Sequence, residues 1–341
     1  MPAEWEPHQG VWFTWPRPDG ISFPDKYETV PPVYAQLFSA LAPVSEIYVN
    51  VWNTKEEDRA TTELREAGLE EQAFQKISFH HHPAHEPWCR DHGPIFVVRD
   101  GESGLEKAIT DWKYNAWGDK YPPYDLDNLV PSHIASLRDL PSFEGGMVLE
   151  GGSIEVNGKG TLLTTTSCLL NPNRNPELTR EAIEDRLREF LGISNIIWLG
   201  DGIEGDDTDG HIDDITRFIS PSRIVTVVEE DEADPNHRLL EENHQLLLSA
   251  RDQDGNPFEV IAIPMPDRLE HEGQRLPASY ANFLISNGRV LVPTYRCDKD
   301  AIALDLLRKN MPGFEVIGID STELIWGLGS FHCISQQEPK A

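Results

Sequence analysis

The chain has 341 residues, with 58 Asp and Glu against 29 Lys and Arg, a formal net charge of −29 with His neutral. That acid excess argues against a nucleic-acid partner, whose phosphates need clustered Lys and Arg, and against an anionic membrane surface. It fits a small cationic partner or substrate.

Hydrophobic residues make up 39% of the chain, and nine Trp, eight Tyr and thirteen Phe set it apart from a disordered protein. The length allows one large domain or two of about 150 residues. No apolar run approaches the ~18 residues that span a bilayer. Met1–Pro7 lacks the basic start and apolar core of a signal peptide. Cys89, Cys168, Cys297 and Cys333 are widely spaced with no CxxC pair, the usage of reduced thiols rather than a disulfide framework. A cytoplasmic protein is expected, and a homo-oligomer is compatible with the sequence.

In chain order, residues 47–52 predict a strand, 55–67 a helix and 77–81 a second strand. Pro94–Arg99 runs as a strand into Asp100-Gly101. Ser153–Val156 meets Asn157-Gly158 and returns as Thr161–Leu163, followed by a helix over about 177–191 and a strand at 196–199. Ile215–Ile219 turns at Ser220-Pro221-Ser222 and returns as Ile224–Val228, with a helix at about 236–250 and a strand at 259–263. Finally, Asn282–Gly288 forms a strand ending in Asn287-Gly288, the strongest short hairpin signal. Val290–Val292 is its return strand, with a helix at 300–310 and a strand at 314–319. These are about five loose copies of one ββαβ-type unit, roughly 68 residues each by 341/5. Such a period predicts an α/β propeller of five units, a single domain over residues 1–341 with a central active site, ahead of any two-domain scheme.

The period also aligns polar residues. Glu150 lies 7 residues before Asn157 and Asp213 lies 7 before Ser220, while Asp91 and His211 lie 9 before Asp100 and Ser220. Equivalent positions in a ring of units converge, so these four could meet. The plainer alternative is that acids favour strand entrances as turn residues.

Trp88-Cys89-Arg90-Asp91-His92 crowds reactive side chains ahead of a Gly-Pro break, a loop signature. Arg90-Asp91 alone could be a local ion pair, but Asp91 beside Trp rings suits a planar cation. His211-Ile212-Asp213 places imidazole and carboxylate on one face of a strand. The Asp-rich run before it lacks EF-hand spacing, so a general-base His is the sharper reading than a Ca²⁺ loop. His80-His81-His82 with His85 is a zinc alternative, His80 and His82 sharing a strand face, without an HExxH or Cys partner. Cys333 follows Gly327 and Gly329, a setting for a thiol presented from a turn, although single cysteines are more often structural. As a strand neighbour, His332 would face away from it, leaving His211 as the candidate partner. Cys168 and Cys297 read as core or strand-edge cysteines. Together these residues are a thiol, a His and spare carboxylates, which suits a guanidinium whose carbon is placed over sulfur.

Several segments carry a wider resemblance: Glu6-Pro-His-Gln-Gly-Val-Trp, Trp88-Cys-Arg-Asp-His-Gly-Pro, Asp111-Trp-Lys-Tyr-Asn-Ala-Trp-Gly, Glu150-Gly-Gly-Ser-Ile-Glu, Thr208-Asp-Gly-His-Ile-Asp and His332-Cys333-Ile334. In this order, over nearly the whole chain, they resemble the agmatine deiminase/bacterial-type peptidylarginine deiminase family of guanidino-group-modifying enzymes. That resemblance implies a five-unit α/β propeller and hydrolytic deimination without a metal or organic cofactor. It implies Cys333 as nucleophile and His211 as general acid/base. Glu150 would pair with His211, Asp91 and Asp213 would grip the guanidinium, and Trp88 and Trp112 would line the pocket. Agmatine ranks first as substrate, giving N-carbamoylputrescine for polyamine metabolism. Peptidyl arginine is the runner-up, and a non-catalytic guanidinium or polyamine binder is the rival class. One departure stands out: the family's common Gly-Gly-Gly-Asn-Ile-His-Cys is here Gly327-Leu328-Gly329-Ser330-Phe331-His332-Cys333, which leaves the exact substrate open.

Overall fold

The Asn287-Gly288 dipeptide does turn a hairpin. Both residues have positive φ, 44° and 89°, the combination for which Asn-Gly is favoured. Strands Leu284–Ser286 and Arg289–Thr294 pair antiparallel across it, and helix Lys299–Asn310 leads to Glu315–Asp320, parallel to the second strand. This computed structural model describes residues 1–102 and 104–341.

The same pattern builds three more sheets. Ile95–Gly101 and Gly104–Lys113 are antiparallel, and Ser142–Val148 joins in parallel after helix Val130–Arg138. Glu155–Val156, Thr161–Thr165 and Asn195–Leu199 repeat it around helix Arg180–Leu191. Thr216–Ser220, Arg223–Val228 and Glu259–Pro264 repeat it around helix Pro235–Ser249. The helices begin where capping chemistry allows. Thr179 accepts a hydrogen bond from the Ala182 amide, and Asp234 accepts one from Asn236 ahead of Pro235. Helix Arg180–Leu191 buries Ile183, Leu187 and Leu191, one stripe at a spacing of four, and stops at Gly192, whose φ is 69°.

The remaining sheet is assembled from both ends of the chain. His8–Thr14 runs parallel to Glu46–Asn50, which runs parallel to Ile77–His80, and its antiparallel neighbour is the distant strand Ser335–Pro339. His8–Thr14 and Ser335–Pro339 were not expected from the sequence. Ser335–Pro339 is wholly polar apart from its proline, yet every residue in it is buried. Most of its polar groups are paired: Glu338 accepts from Trp12 Nε1 at 2.9 Å and binds Lys107 at 2.7 Å and Arg138 at 3.0 Å, and Gln337 accepts from Arg90 at 2.7 Å. Gln336 Nε2 donates to the Pro94 carbonyl at 2.8 Å, its Oε1 lacking a partner. Burial is tolerated because those bonds are made.

Overall the fold is mixed α/β. Among the described residues there are five sheets of three or four strands and one two-stranded hairpin, Glu270–His271 with Gln274–Arg275. Segments leading into these strands carry the polar residues singled out above. No helix among the described residues is long and apolar enough to cross a membrane.

Candidate active site

Cys333 lies in a turn two residues ahead of Ser335–Pro339, held by Asn282. The Asn282 side-chain oxygen accepts from the amides of His332 at 3.0 Å and Cys333 at 3.3 Å. Its Nδ2 donates to Cys333 Sγ at 3.0 Å and to Asp214 Oδ1 at 2.9 Å. From the other side, the Arg90 amide donates to the Cys333 carbonyl at 3.1 Å, which docks the Trp88–His92 turn against the thiol.

That turn aims Asp91 at Gly152. Asp91 Oδ1 accepts from the Gly152 amide at 3.1 Å, and Oδ2 accepts from Trp117 Nε1 at 3.0 Å. Gly152 is the point where three groups meet. A Cβ there would fall 2.5 Å from His211 Nδ1, 2.8 Å from Asp91 Oδ1 and 3.2 Å from Asp213 Oδ2. His211 Nδ1 is 3.7 Å from Asp91 Oδ1, and neither ring nitrogen has a hydrogen-bond partner. His211 and Asp213 share this centre but not by the expected route. His211 starts a 3-10 turn, Ile212–Asp214, rather than a strand, with its amide held by Asp206 and Thr208. Asp213 Oδ2 lies 3.8 Å from Cys333 Sγ. Cys333, His211, Asp91 and Asp213 therefore come together.

Two expectations need correction. Trp112 does not reach the pocket. It packs in a core with Met147, Leu149 and Phe190, and its Nε1 donates to Thr110 at 2.9 Å. Trp117, from the same quoted segment, lines the pocket with Trp88. Ala116, Trp117 and Gly118 have φ of 48°, 56° and 93°, and this run of left-handed residues turns the indole back toward Asp91. Glu150 does not hydrogen-bond His211 either. Its Oε1 accepts from Arg174 Nε at 2.6 Å, and Arg174 also binds Asp209 at 2.7 Å. Glu150 remains close, however, with ligand atoms of Glu150, Cys168 and His211 all within 4.8 Å of one another. Cys168 is thus a core cysteine that borders the site.

A cavity of about 500 Å³ opens onto Cys333, Trp88, Asp91 and Trp117. Its wall carries Asp25, Glu86, Asp207 and Glu272, and among the described residues Lys26 is the one Lys or Arg lining it, with Asp207 also bound by Lys120 at 3.4 Å. Gly329 lets Trp88 approach the nucleophile: a Cβ there would lie 2.5 Å from the Trp88 ring and 3.0 Å from Cys333 Cβ. Of the three departures ahead of the cysteine, Leu328 lines the cavity with φ of 69°, whereas Ser330 and Phe331 are buried elsewhere. Asn282, Asp214, Trp117 and Arg174 had not been singled out by sequence. Only Trp117 carried a signal, in its quoted segment with Gly118.

Burial, then Asp213, Asp214 and Asp91, push the Cys333 thiol well above its ordinary pKa. Burial also lifts Asp91 to about 6, against the pull of His211 and with the help of Asp213 and Glu150. For His211, burial opposes the charged form, but Asp91, Cys168 and Glu150 override it and hold the imidazole well above its ordinary value. Burial raises Cys168 itself, so near neutrality the carboxylates supply that charge. The resting centre is therefore a thiol beside an imidazolium.

Of the histidines read as a zinc alternative, His81 binds Glu57 at 2.7 Å, His82 binds Asn50 at 3.0 Å and His85 binds Asp125 at 3.1 Å, while His80 Nε2 is buried without a partner. Among the described residues none of the four belongs to a group with metal-like spacing. Of the acid-rich triads with metal-like spacing, those containing Glu150 and Glu4 already have an arginine on their carboxylates.

Residues 1–339 match the family model of the Porphyromonas-type peptidyl-arginine deiminases. The chain belongs to that family. It is 36% identical over 370 residues to agmatine deiminase of Medicago truncatula, covering 99% of this chain and 96% of the relative. Among solved structures it resembles agmatine deiminase of Enterococcus faecalis, with a TM-score of 0.90 and 34% identity over 100% of this chain and 95% of that one. A cysteine-to-serine agmatine deiminase of C. jejuni with substrate bound gives a TM-score of 0.88 at 30% identity, covering 100% and 96%. The mixed α/β fold is that of these family structures.

Proposed function

We propose that this protein is a hydrolase of linear amidines that converts agmatine and water to N-carbamoylputrescine and ammonia. The observation carrying this reading is the convergence of His211, Asp91 and Asp213 on Gly152, with Cys333 Sγ 3.8 Å from Asp213, behind a cavity that Cys333 and Asp91 line and whose mouth is acidic. Asp91 and Asp213 hold the guanidinium nitrogens and place the central carbon over Cys333. The bound cation offsets the anions that disfavour the thiolate, and the Cys333 thiol gives its proton to bulk water as the substrate seats. Cys333 sulfur then forms the C–S bond, and a C–N bond breaks as His211 gives its proton to the departing ammonia. Water attacks the resulting S-alkylthiouronium while His211 takes its proton. The C–S bond breaks, the second proton of that water passes from the adduct's hydroxyl to sulfur, and the ureido product leaves with the Cys333 thiol restored. Glu150, fixed by Arg174, stabilises the charge on His211, and Trp88 and Trp117 wall the reacting plane.

Agmatine ranks above peptidyl or free arginine because of the cavity mouth. Asp25, Glu86, Asp207 and Glu272 suit a second cation, whereas the carboxylate of free arginine would meet them with like charge. No metal or cofactor has a step to perform. We place residues 1–341 in one catalytic domain, with the five sheets as units of an α/β propeller, since Asp91, Glu150 and Asp213 enter from corresponding places in successive sheets. Four unpaired cysteines are in keeping with a cytoplasmic protein.

An ammonia-release assay across agmatine, arginine and an arginyl peptide tests this reading, with mass spectrometry of the quenched enzyme. Agmatine should be preferred, and Cys333→Ala should lose both ammonia release and adduct. Binding without ammonia release or adduct in the wild type would instead make the protein a guanidinium carrier.

A further inference from the structure

Asp213 is not free to choose its orientation. Its Oδ2 lies 2.6 Å from His332 Nδ1, and the opposite ring nitrogen, Nε2, lies 3.0 Å from Glu4 Oε2. A neutral imidazole carries one N–H, so both bonds to carboxylates are made together only when both nitrogens carry protons. Glu4 is itself held: its Oε1 accepts from the Ile285 amide at 2.7 Å, and its Oε2 also accepts from Arg217. Arg217 is tied to Glu155 Oε2 at 3.0 Å and to the Phe283 carbonyl at 2.6 Å. All of these groups are buried, and none of Glu4, Arg217 and His332 lines the cavity.

The consequence falls on the two oxygens of Asp213. Oδ2 is occupied by His332, while Oδ1 is buried without a partner. We propose that His332, anchored by Glu4, is the positioning residue that fixes the Asp213 carboxylate, engaging one oxygen and leaving the other for a guanidinium N–H. This rests on the functional reading above and adds a residue that never touches substrate. Burial alone would raise Asp213, but the hydrogen bond and charge of His332 bring it below the usual carboxylate range, the state in which it accepts from a cation. The adjacency of His332 and Cys333 thereby gains a reason: one turn presents the thiol and also orients the carboxylate 3.8 Å from it.

Two substitutions in the full chain separate positioning from mere packing. In His332→Asn the amide nitrogen falls near the Nδ1 position, so the bond to Asp213 survives and that to Glu4 is lost. In His332→Gln it falls near Nε2, with the reverse result. Both are polar, uncharged and smaller than His, so a structural role predicts losses that follow the melting temperature. Positioning predicts about a tenfold fall in kcat/KM for Asn and about 10²-fold for Gln, a cost on the scale of a ~1 Å misplacement, at matched stability and with KM rising in the Gln variant. Equal losses, the reverse order or losses that track melting temperature would overturn the inference. Calorimetric titration of agmatine into Cys333→Ser, with and without His332→Gln, reads the same contrast without turnover. If the wild type releases no ammonia, the functional reading fails, and this binding contrast still decides the role of His332.

Discussion

Gly152→Ala adds one methyl group where three functional side chains meet. Ordinary van der Waals contact is about 3.5 Å, and the new Cβ would lie 2.5 Å from His211 Nδ1 and 2.8 Å from Asp91 Oδ1. Relief requires the imidazole to withdraw by about 1 Å and the carboxylate by about 0.7 Å, or a matching shift of the backbone. Gly152 does not adopt the left-handed conformation, so alanine meets no backbone penalty there. Overpacking should cost about 1–3 kcal/mol of stability, which a chain of this length can absorb with a drop of a few degrees in melting temperature. The chemistry is less tolerant. A displacement near 1 Å between reacting groups is worth about 10²-fold, so kcat/KM for ammonia release should fall by at least that. Gly192→Ala is the control: no atom lies within 4 Å, but φ is 69°, so it should lower stability and leave turnover alone. Activity of Gly152→Ala within threefold of wild type, in a protein of wild-type stability, would refute the convergence at Gly152.

The two tryptophans of the 111–118 segment should separate cleanly. Trp117→Phe loses the hydrogen bond to Asp91, and at ~1.5–3 kcal/mol for a bond to a charged acceptor KM should rise about tenfold or more. Trp112→Phe should lower melting temperature and leave KM unchanged; a KM effect as large as that of Trp117→Phe would put Trp112 back in the pocket. For the thiol, the raised Cys333 pKa means the free enzyme holds it protonated at neutral pH. Iodoacetamide labelling of Cys333, followed by peptide mass spectrometry, should still be accelerating above pH 9. A plateau below that pH would contradict the anionic surroundings.

Local chemistry made the repeat legible. Asn287-Gly288 and Gly158 accept the left-handed angles their turns need, Asn157 closes its turn by accepting from the Lys159 and Thr161 amides, and helix 180–191 shows its buried stripe in the spacing of Ile183, Leu187 and Leu191. His211, Asp91 and Asp213 were legible from their place in the repeat and from the resemblance, and Cys333 from its glycine-flanked turn and the resemblance. Other features depend on partners far away in the chain. Ser335–Pro339 carries no alternating apolar pattern, so nothing local marks it as a buried strand. It becomes one only beside His8–Thr14, with Lys107, Arg138 and Trp12 meeting Glu338. The choice between Trp112 and Trp117 turned on the left-handed run Ala116–Asp119, in which Gly118 is the one glycine. Glu150 and His211 looked like a pair because both are close to the centre, but a buried carboxylate takes the strongest available donor, and Arg174 was invisible until the 166–175 segment folded over it.

The pairing of His8–Thr14 with Ser335–Pro339 has a bearing on the order of folding. It joins residues more than 300 positions apart, as in the Trp12–Glu338 bond, with a separation of 326, so its closure carries the largest entropic cost of any strand pair in the chain. The other four sheets close over far shorter segments and do not depend on it. Because Cys333 lies two residues ahead of that final strand, the reactive turn takes shape only when the two ends of the chain dock. A partly folded chain carries the cysteine but not the enzyme, and its thiol stays as unremarkable as the other three until the last strand is in place.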